Sequence, residues 1–173
     1  MKNIIPITTL IVALLLALPA VAAEWKHPLK NWAKLESPLV EVTPFVFKDK
    51  LYLMESWQNQ WEHPDDKDGS HFTKDEIRIR DMAGDRIVST PLIGHGLGMA
   101  FVWEDTVYVF AGNWADSKKW NIREILMTSS NDLKTWTAPR VVLRSEDHEK
   151  YFNVSVCRGK DQFIMLVESN DKS

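Results

Sequence analysis

The chain has 173 residues, 45% of them hydrophobic and 26% charged, with 21 basic against 24 acidic side chains and a net charge of −3. That balance is ordinary for a globular protein, and without a run of five or six like charges it excludes a general nucleic-acid or anionic-membrane binder. Eight Trp demand a packing or binding role, and a single Cys excludes an intrachain disulfide framework.

Taken in chain order, Lys2, the apolar run Leu10 to Leu18 and the small residues from Pro19 to Ala23 have the arrangement of a cleavable secretory signal over residues 1–23. The apolar run is too short to span a bilayer. A retained anchor is the alternative, but the polar residues after Ala23 suit cleavage better. Removal leaves 150 residues, enough for one domain, in a secreted or periplasmic protein with no stable membrane association. A Trp-rich, Pro-punctuated segment, 24–38, leads into the domain.

From residue 39 onward short alternating apolar segments are separated by polar turns, and helical periodicity is nearly absent. The pattern predicts strands over 39–47, 51–56, 76–81, 86–91, 98–103, 106–111, 122–129, 135–143, 153–157 and 162–168. Cys157 falls in such an alternation and reads as a buried structural thiol. Two longer connections, 57–75 and 112–121, are rich in Trp, Asn, Asp and His.

Three segments superimpose: PFVFKDKLYLMES ending at Ser56, AFVWEDTVYVFAG ending at Gly112, and SVCRGKDQFIMLVE ending at Glu168. Their turn residues Asp49, Asp105 and Asp161 stand 56 apart, and the same offset aligns Leu51, Val107 and Phe163. A fixed period built from about four strands is the mark of a β-propeller blade. A sandwich of unrelated hairpins or a solenoid does not require so regular a spacing. Each blade then has an inner strand A, a tight turn at the aspartate, a B strand, a variable loop and a C to D turn. The Ser129-Ser-Asn-Asp-Leu-Lys-Thr-Trp136 segment falls at the second C to D turn, where Asn and Asp tighten the backbone and Trp136 packs between blades. Blades are expected at about 39–92, 93–147 and an incomplete 148–173, so about two and a half are present. An unclosed array leaves a bare face, which points to a fragment or, for a complete chain, to oligomerisation or instability.

The inner hairpins ending in carboxylates, the SSNDLKTWT turn and the FNVSVCRGKDQFIMLVES segment resemble the five-bladed propeller glycosidases of glycoside hydrolase families 32, 43, 68 and 117. More closely, LYLMES, HGLGMAFVWEDTVYVF and FNVSVCRGKDQFIMLVE resemble uncharacterised secreted bacterial glycosyl hydrolases of that superfamily, over about Pro38 to Glu168. The resemblance implies an all-β, five-bladed propeller acting on an oligo- or polysaccharide, with carboxylates from different blades around a central funnel. Those families carry an Asp directly before a Pro in the first inner strand; here Thr43 precedes Pro44, and the equivalent Met99 and Ser155 are not acidic. The usual three-carboxylate set therefore does not transfer.

In a propeller the starts of A strands and the ends of B strands share one face around the axis. Glu41, His95, Tyr151 and Asn153 stand at the first positions, and Glu55, Trp57, Trp114, Glu168 and Asn170 at the second. Glu55 and Glu168 each end an otherwise apolar B strand, where a charge is costly unless paired or used, and are the candidate catalytic carboxyls. Glycosidic hydrolysis needs two such groups, about 5 to 5.5 Å apart for direct attack or roughly 6.5 to 9.5 Å apart to admit a water. Glu41, Trp57, His95, Trp114 and Asn153 are candidate substrate-binding residues, the indoles through stacking on sugar rings and His95 through a hydroxyl or a proton. Each has a plain alternative: a solvated strand residue for Glu41, a loop residue for His95, a loop anchor for the indoles, Trp61 included. His63, Asp65, Asp66, Asp68 and His71 lack the alternating spacing and closing Glu of a calcium loop, so no metal is expected, and no motif asks for a cofactor. The function expected is a secreted glycoside hydrolase working by general acid/base catalysis, with a noncatalytic carbohydrate-binding propeller as the alternative.

Overall fold

The computed structural model describes residues 39–59, 73–113, 122–146 and 149–169. Strands make up 69% of them, with no α-helix among them, so the protein is all-β. The strands are β1 (Leu39–Phe47), β2 (Lys50–Trp57), β3 (Glu76–Asp81), β4 (Arg86–Ile93), β5 (His95–Trp103), β6 (Thr106–Asn113), β7 (Glu124–Ser130), β8 (Arg140–Arg144), β9 (Tyr151–Arg158) and β10 (Phe163–Ser169). They form three antiparallel sheets: β1-β2-β3-β4, β5-β6-β7-β8, and the pair β9-β10.

The 56-residue period holds at the level of register. Phe45 opposes Tyr52, Phe101 opposes Tyr108, and Cys157 opposes Ile164. At the far end Leu39 opposes Trp57, His95 opposes Asn113, and Tyr151 opposes Ser169; an irregularity directly follows the first and third of these pairs, and in the second sheet it comes one pair later, between Gly96 and Met99. Asp49 and Asp105 each occupy the second position of a two-residue turn, and Asp161 lies in a four-residue loop closed by Gly159 N donating to the Gln162 carbonyl at 2.7 Å. In the first turn Lys48 and Asp49 both take positive φ, 49° and 60°, the backbone twist that tight hairpins require.

The inner strands lie side by side, β5 between β1 and β9. Packing between the sheets makes two cores. Phe45, Phe47, Met54, Ile77 and Ile79 of the first sheet meet Ala100, Val107, Val109 and Ala111 of the second, and Leu133 and Trp136 close the edge of this layer. Leu97, Ile122 and Ile125, with Met99, Phe101 and Phe110, meet Tyr151, Val154 and Val156. Each sheet is thus buried on the side that meets its neighbour, as strand alternation allows. The fold is an unclosed part of a β-propeller: two four-stranded blades and the inner hairpin of a third.

Three local differences from the sequence expectation have physical causes. Strand β5 begins at His95, three residues early, because Gly98 lets it run close beside β6; a Cβ on Gly98 would stand 2.8 Å from the Phe110 carbonyl oxygen. Strand β8 begins at Arg140, not Thr135. Asp132 accepts from the backbone N–H of Lys134 and Thr135 at 2.8 and 2.7 Å, and the Thr137 hydroxyl accepts from Ser129 N at 3.0 Å, so these residues stay in the turn. Cys157 is exposed, not buried, because its side of β9 faces away from the second sheet.

Candidate functional site

Both ends of the inner hairpins can be located from contacts between sheets. At the end where A strands start and B strands finish, the Ser56 hydroxyl accepts from Leu97 N at 3.1 Å, and Tyr151 N donates to the Ile122 carbonyl at 2.8 Å. At the turn end, Phe163 packs edge-on against Phe101 and Trp103, the Arg158 guanidinium lies 3.9 Å from the Trp103 ring, and Lys48 Nζ donates to the Asn131 carbonyl at 2.8 Å. Like ends therefore meet like ends. The rim at the strand starts gathers Glu41, Glu55, Trp57, His95, Asn113, Asn153 and Glu168.

Glu55 is 1% exposed and lies in a two-pronged ion pair with Arg80, through Nε and through Nη2 at 3.2 Å. Antiparallel register produces this pair: Leu53 opposes Arg80 and Glu55 opposes Arg78, so Arg80 sits diagonally across from Glu55 on the same side of the sheet. Arg80 also bonds Asp85 at 3.0 Å. Its guanidinium is held above its usual value, first by the hydrogen bond to Glu55. The neighbours Met54 and Ser56 face the second sheet, so Glu55 points to the opposite side.

Glu168 is exposed and accepts from Asn153 Nδ2 at 3.0 Å. Val167 packs toward the second sheet, and Glu168 points to the other side. The two carboxyls chosen from sequence consequently lie on opposite outer faces of the stack and do not share a cleft. The expectation that Glu55 and Glu168 form one acid/base pair is corrected: the charge at Glu55 is paired, not held for chemistry. Trp57 is corrected as well, because it is 6% exposed and the Arg78 guanidinium lies 3.9 Å over its ring, leaving no free stacking face.

Glu41 has a different setting. It falls in the register irregularity between Leu39 and Val42, where a bulge re-aims side chains. It is half-buried, with one carboxyl oxygen shielded and without a hydrogen-bond partner. Burial pushes its pKa up from 4.5 to about 7, partly opposed by a hydrogen bond from the residue's own backbone. His95 is also half-buried: Nδ1 donates to the Ile93 carbonyl at 2.7 Å, which leaves Nε2 as a bare acceptor with no partner. Burial lowers its pKa, against the pull of that carbonyl. Glu41 and Asn153 occupy equivalent repeat positions in the first and third sheets, with Leu97, at φ 52°, between them in the second.

Sequence reasoning did not single out Asn113 or Glu124 on this rim. Asn113 Nδ2 donates to Glu124 at 2.9 Å, and Glu124 pairs with Arg144 at 2.7 Å. The signal was available in the polar end of an otherwise apolar β6. Nearby, buried Asp75 accepts from Asn59 N at 2.7 Å and its carbonyl accepts from Gly94 N at 2.7 Å, which pins the base of the first long loop. Trp61, Trp114, Asn170 and the His63 to His71 stretch lie outside the described residues, as does the expected signal segment. Among the described residues no group of three or more His, Cys, Asp or Glu is placed to hold a metal ion.

Stacked antiparallel blades with a polar rim at their strand starts define the class: a partial β-propeller. Among solved structures, the chain is similar to 1,3Gal43A, an exo-β-1,3-galactanase from Clostridium thermocellum, at 12% sequence identity and a TM-score of 0.44. The match covers 75% of this chain and 26% of the galactanase, so the chain spans about a quarter of that protein. No protein-family model and no curated protein matches the sequence.

Proposed function

We propose that the chain is part of a secreted propeller protein that acts on an oligo- or polysaccharide as a glycoside hydrolase, by general acid/base catalysis. The observation that carries this reading is the half-buried Glu41 carboxyl, held near pH 7 at the start of an inner strand. A carboxyl protonated close to neutrality can give its proton to the departing glycosidic oxygen. His95 Nε2 is an acceptor for a sugar hydroxyl on the same rim, and the Asn153–Glu168 pair offers a second carboxyl with its orienting amide. That second carboxyl activates a water or attacks the sugar directly, according to its separation from the acid.

A noncatalytic saccharide-binding propeller is the second reading. It is favoured by the engagement of Glu55 with Arg80 and by Thr43 standing before Pro44. Purified chain tested on a panel of neutral α- and β-linked glycans, β-1,3-galactan included, separates the two. Release of reducing ends that disappears in Glu41→Gln supports hydrolysis. Saccharide binding by calorimetry without release supports the binding module, and neither response sinks both.

A further inference from the structure

Two shielded polar atoms without hydrogen-bond partners, Glu41 Oε2 and His95 Nε2, stand at the rim between the two four-stranded sheets. Register shows where each side chain points. His95 opposes Asn113, and Asn113 follows Val109 and Ala111 on the side of β6 that packs on the first sheet. Opposed residues share a side, so His95 also faces the first sheet.

In the bulge of β1, Val40 and Glu41 together stand opposite Ser56. Ser56 faces the second sheet, where its hydroxyl accepts from Leu97 N, two residues beyond His95. By the 56-residue repeat Glu41 holds the place of Leu97, whose side chain packs on the sheet that follows its own. Val40 is exposed and Glu41 half-buried, so Glu41 is the bulge residue turned into the gap. One gap thus receives a carboxyl from the first sheet and an imidazole from the second.

The two groups are complementary. Nδ1 is spent on the Ile93 carbonyl, which leaves Nε2 of the neutral ring able only to accept. Burial raises the Glu41 pKa to about 7 and lowers that of His95, so just below neutrality a protonated carboxyl faces a neutral ring. The other charged groups beside the gap, among the described residues, are engaged elsewhere: Glu124 of β7 with Asn113 and Arg144, and Asp75, which precedes β3, with Asn59 N. Glu55 turns to the opposite side, toward Arg80.

We propose that His95 is the positioning residue of Glu41, its Nε2 accepting the carboxyl proton across the gap and holding the acid form at the rim. An acceptor that engages only the protonated carboxyl favours that form over the anion. The catalytic meaning of the pair, an acid kept loaded until a glycosidic oxygen takes its proton, rests on the hydrolase reading; the pair itself does not. Once the proton leaves, Nε2 is released to the sugar hydroxyl.

Nitrogen NMR of the whole chain, labelled with 15N at histidine and with His95 assigned by its loss in His95→Gln, reads the acceptor directly. At about pH 6.5 the parent Nε2 resonance is expected upfield of its place in Glu41→Leu, and at about pH 8.5, with Glu41 ionised, the difference closes. Glu41→Gln, whose amide N–H donates in place of the acid, is expected to hold the upfield position at both. An Nε2 resonance indifferent to Glu41→Leu at both pH values overturns the proposal. Coupling without release of reducing ends from any glycan of the panel sinks the hydrolase reading and supports the pair; release without coupling does the reverse. Melting curves check that the variants fold, and Glu41→Met takes the place of Glu41→Leu if that variant does not.

Discussion

Arg80 and Glu55, 25 residues apart in the chain, meet across neighbouring strands as a two-pronged ion pair whose acidic partner is sealed from solvent. Removing one member strands the other. Arg80→Leu is expected to lower unfolding free energy by roughly 3–5 kcal/mol, while the double substitution Arg80→Leu/Glu55→Leu recovers a large part of the loss. Denaturant unfolding of the single and double variants measures both. Glu55→Gln keeps a hydrogen-bond acceptor and is expected to leave any saccharide hydrolysis intact; loss of hydrolysis with an unchanged melting curve would overturn the structural role.

Glu41 ties stability to pH with a definite sign. Its folded pKa of about 7 lies above the model-peptide 4.5, so over that window the folded state holds more protons than the unfolded state. Stability therefore declines as pH rises from about 4.5 to 7, and the deficit is constant above. Glu41→Gln is expected to flatten this part of the curve, as read by unfolding midpoints at pH 4.5, 6 and 7.5. In the proposed hydrolysis the same group is expected to give an alkaline limb near pH 7, since only the protonated form donates; a pH–rate profile measures it.

Asp132 has the opposite linkage. Backbone N–H groups of Thr135 and Lys134, followed by the Ser130 and Thr135 side chains, hold its carboxyl at about 2, below the usual 3.8. Its contribution is full above about pH 4 and is lost as pH falls through 2. Asp132→Ala is expected to be less stable than the parent at pH 6 and to converge with it as pH falls below 2, where the parent carboxyl is also protonated. A stability gap that does not change with pH would contradict this.

Gly98 sits where three elements crowd. An added Cβ would lie 2.8 Å from the Phe110 carbonyl oxygen, 3.0 Å from Ile77 Cδ1 and 3.3 Å from Ala111 Cβ. Backbone cannot yield as a flexible side chain does, and Ile77 belongs to the neighbouring sheet. Gly98→Ala is therefore expected to cost about 1–3 kcal/mol, whereas Gly84→Ala, whose nearest neighbour is the flexible Arg86 side chain at 3.6 Å, is expected to be nearly neutral by comparison. Paired thermal melts compare the two.

The period of 56, the hairpins and the Ser129 to Trp136 turn were legible in the residues themselves because each depends on neighbours a few positions away. Alternation at period two, positive-φ turns and Asp or Asn bonding to nearby backbone are local physics, and three copies of one hairpin make the repeat visible. Trp136 packing between sheets also followed, since an indole in a tight turn at a sheet edge has one apolar layer within reach.

The chemistry of the rim was decided only by tertiary structure. Glu55 and Glu168 look alike in sequence, both ending apolar strands, yet one carboxyl finds Arg80 and the other finds Asn153 on the far side of the stack. The face a strand-end side chain takes depends on register, and register depends on a strand many residues away. The bulge that sets Glu41 apart and the guanidinium that covers Trp57 are likewise set by cross-strand pairing. Sequence determined which units repeat; packing between them determined which polar groups found partners and which were left half-buried without one.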